Sequence, residues 1–307
     1  MTTDTSDAAD AAGVFEAHRS LLTGVAYRIL GTASDAEDVV QEAWPRWSAA
    51  DREEVENPRA YLVTIVSRLA IDRLRSARAR RESYVGEWLP EPVSDLPDAS
   101  ERAELADTVE FALLVVLETL SPLERAVFVL REAFQLPYAE IAEIIGRGEA
   151  ATRQLSRRAR DHVRERRPRF EADRAARRRI TERFLQACAE GDMEGLTGLL
   201  ADDATLVGDG GGKAKAPLRV LVGRTKVGRF LLSLPSNLER FLASIGVAPG
   251  EPRLEVTEVN GAPAALVIVS GRVISTMILD VDGDRVRTVY VIANPDKMSH
   301  LRVPDPS

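Results

Sequence analysis

Ser-Pro-Leu-Glu-Arg (121–125), Leu-Pro-Tyr-Ala-Glu-Ile-Ala-Glu-Ile-Ile-Gly-Arg-Gly (136–148) and Thr-Arg-Gln-Leu-Ser-Arg-Arg-Ala-Arg (152–160) read together as a helix-turn-helix. Its second helix is loaded with arginine. Ser121 and Glu124 stand at capping-box spacing, with Pro122 at the first helical position. Ala142 and Gly146 fall where two tightly crossing helices need a small side chain and a turn. Leu155, Ala159 and Val163 recur every four residues and are expected to face inward, leaving Arg153, Gln154, Arg157 and Arg158 outside. That is the layout of a helix entering a major groove. Arginine and glutamine also carry the planar donor and acceptor groups that match base edges. The competing reading is a basic, solvated helix in an ordinary helical hairpin.

The charge balance looks adverse to nucleic acid: the 307-residue chain has a net charge of −7. Its distribution reverses that reading. Residues 68–81 hold six arginines and one acid, and residues 147–179 hold thirteen arginines and five acids. Two basic islands on an acidic body suggest two contact points on a polyanion. Both islands are arginine, which suits phosphates and base edges better than lysine.

With 45% apolar and 29% charged residues, the chain is globular in class and long enough for two or three domains. The single cysteine, Cys188, excludes an intramolecular disulfide, argues against a thiol-based metal site and lies in a core-like helical pattern. Residues 1–13 are polar and acidic and read as disordered, without a signal peptide. No stretch approaches the ~18 apolar residues of a membrane span, so a cytoplasmic protein is expected.

Residues 14–81 have helical periodicity throughout. One helix ends at Gly31, and a second begins at Ser34 or Asp35 with Val39, Val40, Ala43, Trp44 and Trp47 inward and Asp35, Asp38, Gln41 and Glu42 outward. A third opens at Pro58 and carries Arg68, Arg75 and Arg78 on its outer side. The prolines and glycine of the linker (83–104) exclude a helix, yet Tyr84, Val85, Trp88 and Leu89 are too apolar for a free tether. They should dock on a folded surface. After a charged helical stretch, Asp192 caps a short helix and Thr205–Gly208 reads as a strand. Residues 253–259, 264–269, 273–281 and 285–293 are strands bounded by Asn260-Gly261, Ser270-Gly271 and Asp282-Gly283, the signature of antiparallel hairpins. Helices followed by a curled antiparallel sheet make this region α+β.

The order of these pieces resembles the extracytoplasmic-function (ECF) sigma factors of bacterial RNA polymerase. Asp-Ala-Glu-Asp-Val-Val-Gln-Glu-Ala-Trp (35–44) is similar to the sigma segment that docks on polymerase. The arginine-rich helix is similar to the one that opens and reads the −10 element, and the helix-turn-helix to the −35 reader. Tyr-Val-Gly-Glu-Trp-Leu-Pro-Glu-Pro (84–92), Asp-Gly-Gly-Gly-Lys (209–213) and Asn-Pro-Asp-Lys (294–297) resemble short motifs of the sigma factor J type, a subgroup with a C-terminal SnoaL-like (NTF2-like) extension.

The resemblance implies three domains: a region 2 helical bundle (14–82), a region 4 helix-turn-helix (105–168) and a cone-shaped α+β SnoaL-like domain (169–297), with a tail at 298–307. It implies core polymerase and −35 and −10 promoter DNA as partners. Asp35, Asp38, Gln41 and Glu42 would contact polymerase; Arg68, Arg75, Arg78, Arg153, Gln154, Arg157 and Arg158 would contact DNA. The loop between Trp47 and Pro58 would receive an unstacked base. Trp88, Asp209, Lys213, Asn294, Pro295, Asp296 and Lys297 become interdomain or regulatory residues, with 294–297 clipping onto the linker around Trp88 or onto the N-terminal helices.

The C-terminal fold type can also hold a small molecule or catalyse proton transfer. Asp202, Asp203 and Asp209 are the nearest acid/base candidates, but no Asp/His dyad stands out and no cofactor or metal motif is read. The expectation is therefore a regulatory domain rather than an enzyme, in a chain that is monomeric when free. A one-component ligand-sensing regulator and an NTF2-like enzyme with a DNA-binding arm remain the competing classes.

Overall fold

The computed structural model describes residues 3–51, 54–94, 110–166 and 174–301. The described chain divides into two compact units: residues 3–82 with 113–166, and residues 83–94 and 110–112 with 174–301.

The first unit is all helical. Helices α1 (Thr3–Leu30), α2 (Ala33–Ser48) and α3 (Pro58–Arg81) pack together through Phe15, Leu22, Val25, Ile29, Val39, Trp47, Leu62 and Val66, all buried. Gly31 ends α1 at φ +75°, a left-handed conformation that disfavours a side chain. Of the residues 1–13 expected to be disordered, 3–13 are helical: α1 begins at Thr3, and the Ala11 carbonyl accepts a 2.9 Å hydrogen bond from the Trp47 indole. Acidic, alanine-rich composition conceals a helix whose support comes from a tryptophan 36 residues away.

Helix α4 (Phe111–Glu118) from Leu113 on, with α5 (Pro122–Phe128), α6 (Tyr138–Ile145) and α7 (Glu149–Arg166), forms the second half of this unit, with a π-helical turn over Val129–Ala133. Ser121 and Glu124 form the complete capping box at the start of α5. Gly146, left-handed at φ +64°, closes α6. Inside α7, Thr152, Ser156, Ala159 and Val163 are the buried positions and Leu155 is only half-buried. Two small hydroxylated residues take the seam with their hydroxyls satisfied, Thr152 donating to the Gly148 carbonyl and Ser156 sharing a hydrogen bond with Tyr138, each at 3.1 Å. The two helical halves belong to one compact unit, α3 packing on α5 and α6.

The second unit combines helices with a six-stranded sheet. Helices α8 (Arg174–Glu190) and α9 (Met193–Leu199) lead into β1 (Leu200–Asp209) and β2 (Leu221–Val222), then α10 (Arg224–Ser233) and α11 (Leu238–Ser244). Strands β3 (Arg253–Val259), β4 (Ala262–Val269), β5 (Arg272–Asp282) and β6 (Arg285–Ile292) follow, giving the order β2-β1-β6-β5-β4-β3. Phe184, Leu196, Leu199, Val227 and Leu231 from the helices cover one sheet face, lined by Leu206, Ala265, Leu279 and Val289. The expected hairpins form, with Asn260 and Ser270 both left-handed as their tight turns require. Those four strands pair antiparallel as expected, while β1, expected only as a strand, runs parallel to β6, with Leu206 opposite Val289.

Two boundaries also change. Residues 83–94 belong to the second unit rather than to a separate linker, and its fold continues past 297, since Leu301 is buried. Residues 95–109, which include the rest of the expected linker, lie outside the described residues, as does the tail from 302.

Candidate functional site

Four arginine and acid clusters carry the chemistry. On α7, Arg153, Gln154, Arg157 and Arg158 are all exposed. Arg153 pairs with Glu149 one turn earlier, and its guanidinium lies 4.6 Å from the Tyr138 ring centroid. Arg157 meets Asp161 at 3.8 Å, and Arg158 meets Glu124 at 3.4 Å. These exposed pairs are weak and cede readily to a phosphate or base.

On α2, Gln41 and Glu42 are exposed, Glu42 pairing with Arg46 at 3.1 Å. Asp35 and Asp38 are instead bridged by Arg73 of α3, at 2.8 and 2.5 Å. Partial burial opposes the Arg73 charge, but its bonds to the two aspartates outweigh that and raise its pKa. The expected acidic face is therefore half engaged within its own unit.

Of the α3 arginines, Arg75 is exposed beside Asp72 at 3.0 Å. Arg68 donates to the Glu143 and Ile144 carbonyls at 2.9 and 3.4 Å, and Arg78 to the Leu120 carbonyl at 3.1 Å. These carbonyls close α6 and follow α4, helix ends that favour a cation. Two side chains expected on DNA are thus bonded to the helix-turn-helix half.

Below them lies a buried charge cluster that sequence reading missed. Glu118 pairs with Arg81 and, at 2.6 Å, with Arg125, which is only 1% exposed. Arg81 also donates to the Leu30 carbonyl at 3.0 Å, and Arg125 to the Arg28 carbonyl at 3.0 Å. The absent side chain of Gly31 makes the room: a Cβ there would stand 2.4 Å from Glu118 Oε1. Arg28 is buried over the Phe134 ring, and burial lowers its pKa to about 10. Spacing could not have shown the cluster, since its members are up to 97 residues apart.

In the second unit, Asp209 is fully buried at the end of β1. It accepts from the Tyr84 hydroxyl at 2.5 Å, the Leu89 amide at 3.0 Å, the Gly211 amide at 3.1 Å and the Lys297 ammonium at 2.6 Å. Lys297 also donates to the Leu89 carbonyl and sits 3.2 Å from the Trp88 ring centroid. Asn294 donates to the Tyr84 hydroxyl at 2.9 Å, while Pro295 starts the short 3-10 turn that carries Asp296 and Lys297. Lys213 and Asp296 pair at 2.5 Å on the surface. Gly211 and Gly212 are left-handed, and side chains there would strike Asn294 and Val85. Burial, with Asp209 next, pushes the Tyr84 pKa well up, so it stays a donor.

The strap 83–94, which holds the first of the three motifs the sequence singled out, is thus clasped by the other two. Its far end is held by Val93 and Asn260, which exchange hydrogen bonds at 3.1 and 3.0 Å, and by Glu91 against His300 at 2.5 Å. Of the other acid/base candidates, Asp202 pairs with Arg224 at 2.7 Å and Asp203 is exposed.

Residues 14–80 match the family model Sigma-70 region 2, and residues 110–163 match Sigma-70, region 4. Over 292 residues the chain is 42% identical to the ECF RNA polymerase sigma factor SigJ of Mycobacterium tuberculosis, covering 93% of this chain and 92% of that protein. It is 33% identical over 291 residues to the probable ECF RNA polymerase sigma factor SigI of the same species, covering 94% of each. The crystal structure of Mycobacterium tuberculosis SigJ matches with a TM-score of 0.74 at 38% identity, over 94% of this chain and 98% of that one. Two arginine-bearing helical halves, a strap clasped to a sheet unit and full-length likeness to these proteins lead to one assignment: the chain belongs to the ECF RNA polymerase sigma factors.

Proposed function

We propose that this protein binds core RNA polymerase in the cytoplasm and directs initiation at specific promoters, with its second unit regulating that activity. The observation that carries the reading is the exposed row Arg153, Gln154, Arg157 and Arg158 on α7, supported by its relatives' assignment. In this reading α7 reads the −35 element in the major groove. Arg68, Arg75 and Arg78 hold the −10 region, and Asp35, Asp38, Gln41 and Glu42 meet polymerase. The bonds that hold Arg68 and Arg78 on the helix-turn-helix half, and Arg73 on Asp35 and Asp38, describe a free protein that must release these side chains first. Free protein, a monomer, therefore binds promoter DNA weakly, and polymerase supplies the release.

The second unit acts as a regulator rather than a catalyst. Its most buried acid, Asp209, spends its carboxylate on Lys297, Tyr84 and the strap, which leaves no general base there. A small-molecule ligand, if the unit takes one, would act by loosening this clasp.

Transcription with purified core polymerase on the native promoters tests the reading. Initiation that depends on the added chain is expected; no initiation together with no core binding overturns it. Deleting residues 294–307 should change promoter output, and unchanged output removes the regulatory role of the clasp.

A further inference from the structure

Tyr138 stands first in α6, after Pro137. Its hydroxyl shares a 3.1 Å hydrogen bond with Ser156, a buried residue of α7. That bond fixes the ring against the recognition helix. Two guanidinium groups lie over the ring: Arg153 at 4.6 Å and Arg131 at 4.8 Å from its centroid. Arg131 is itself anchored, donating to the Leu136 carbonyl at 2.9 Å. The chain reaches this position through a π-helical turn and Gln135 at φ +56°, a left-handed conformation uncommon outside glycine. A rare backbone path is thus used to set one aromatic ring under two cations.

The ring and the neighbouring acid hold Arg153 differently. Glu149 takes its N–H edge. An aromatic ring takes the flat face and leaves the in-plane N–H groups free. A base contact needs that edge, because bidentate recognition of guanine O6 and N7 uses two in-plane donors. When DNA displaces Glu149, the ring still holds the guanidinium plane. Among the described residues Arg157 has no such support: it is 83% exposed and meets only Asp161, at 3.8 Å.

From this geometry we infer that Tyr138 is a specificity-determining positioning residue, which stacks under Arg153 so that its free edge reads a guanine of the −35 element. The inference rests on the sigma-factor reading. Tyr138 acts through Arg153 and need not touch the base.

The test uses holoenzyme assembled from full-length chain and core polymerase, with a promoter library randomised across the −35 element. Wild-type initiation from a defined subset reports on the sigma-factor reading; failure at that step is separate from the outcomes below. Tyr138→Leu should relax preference at one position about two- to fivefold, the range of an exposed cation–π contact, leaving other positions and the salt dependence unchanged. Tyr138→Phe keeps the ring but loses its Ser156 anchor, and should relax the same position less than Tyr138→Leu does. Arg153→Lys keeps the charge without the planar face and should relax the same position, and the double variant with Tyr138→Leu should add nothing. A uniform loss across all sequences, an unchanged preference, or additive effects overturns the inference. Should Tyr138→Leu fail to fold, Ser156→Ala frees only the hydroxyl anchor. It must then shift preference at that same position, and no shift overturns the inference.

Discussion

Asp209 and Lys297 show how much a single residue pair can decide. Both are buried, so each has lost its water and depends on the other. Replacing one leaves an uncompensated buried charge: Lys297→Met should cost the second unit ~3–5 kcal/mol, read by urea denaturation. Adding Asp209→Leu should recover part of that loss, and a strictly additive double variant would refute the pairing argument. Gly31→Ala tests the other buried cluster. It forces a left-handed alanine at a cost of ~1–2 kcal/mol and drives its Cβ into Glu118, so the first unit should lose more stability than the conformational term alone. Cys188 gives a pH-dependent readout. Burial pushes its thiol up to about 12, so at pH 8 folded protein should react with a thiol reagent roughly a thousandfold more slowly than unfolded protein. The short motifs that hold Asp209, Lys213, Asn294 and Lys297 were visible in sequence, because they resemble short motifs of the sigma factor J type. Glu118, Arg125 and Arg28 were not: a charged residue in a helix carries no mark of the partner it meets dozens of residues away.

At the scale of elements, local chemistry was legible wherever local chemistry decides. The capping box at Ser121 fixes the start of α5, and Ser121→Ala should cost about 1 kcal/mol in the first unit's thermal unfolding while sparing the second unit. Asn260-Gly261 and Ser270-Gly271 place left-handed residues in pairs, so their hairpins could be read directly. The parallel pairing of β1 with β6 could not. Leu206 and Val289 stand 83 positions apart in the chain, and strand periodicity names a buried face, not a neighbour. The exposed face of α7 was readable because helical period alone puts Arg153 and Arg157 outside. The ring beneath Arg153 lies in another helix, so only the fold brings it there.

In the first unit as a whole, Glu118 with Arg81 and Arg125 adds a buried charge cluster to the packing between the two helical halves. Buried ion pairs stabilise little against an apolar replacement but are costly to break singly, which suits an interface that must have one correct closed form and still open. Glu118→Gln keeps the volume and removes the charge from Arg81 and Arg125. It should release α3, so free protein should bind duplex DNA more tightly. Each arginine freed to meet a phosphate should steepen the slope of log affinity against log salt by about 0.9. An unchanged slope would show that Arg68 and Arg78 were already available. Which halves would meet was not legible in the sequence, since both basic islands looked equally ready for DNA.

The strap clasp also has a consequence in time. Lys297 meets the carbonyl of Leu89, a residue made 208 positions earlier. At ordinary rates of synthesis this interval is on the order of 10–40 s. For its last 131 positions, from residue 166 onward, both arginine-rich helices exist while the clasp has no lysine to close it. The strap's buried cation therefore arrives last, and a ribosome that stalls before residue 297 leaves behind a strap bonded to a buried Asp209 that has no lysine beside it.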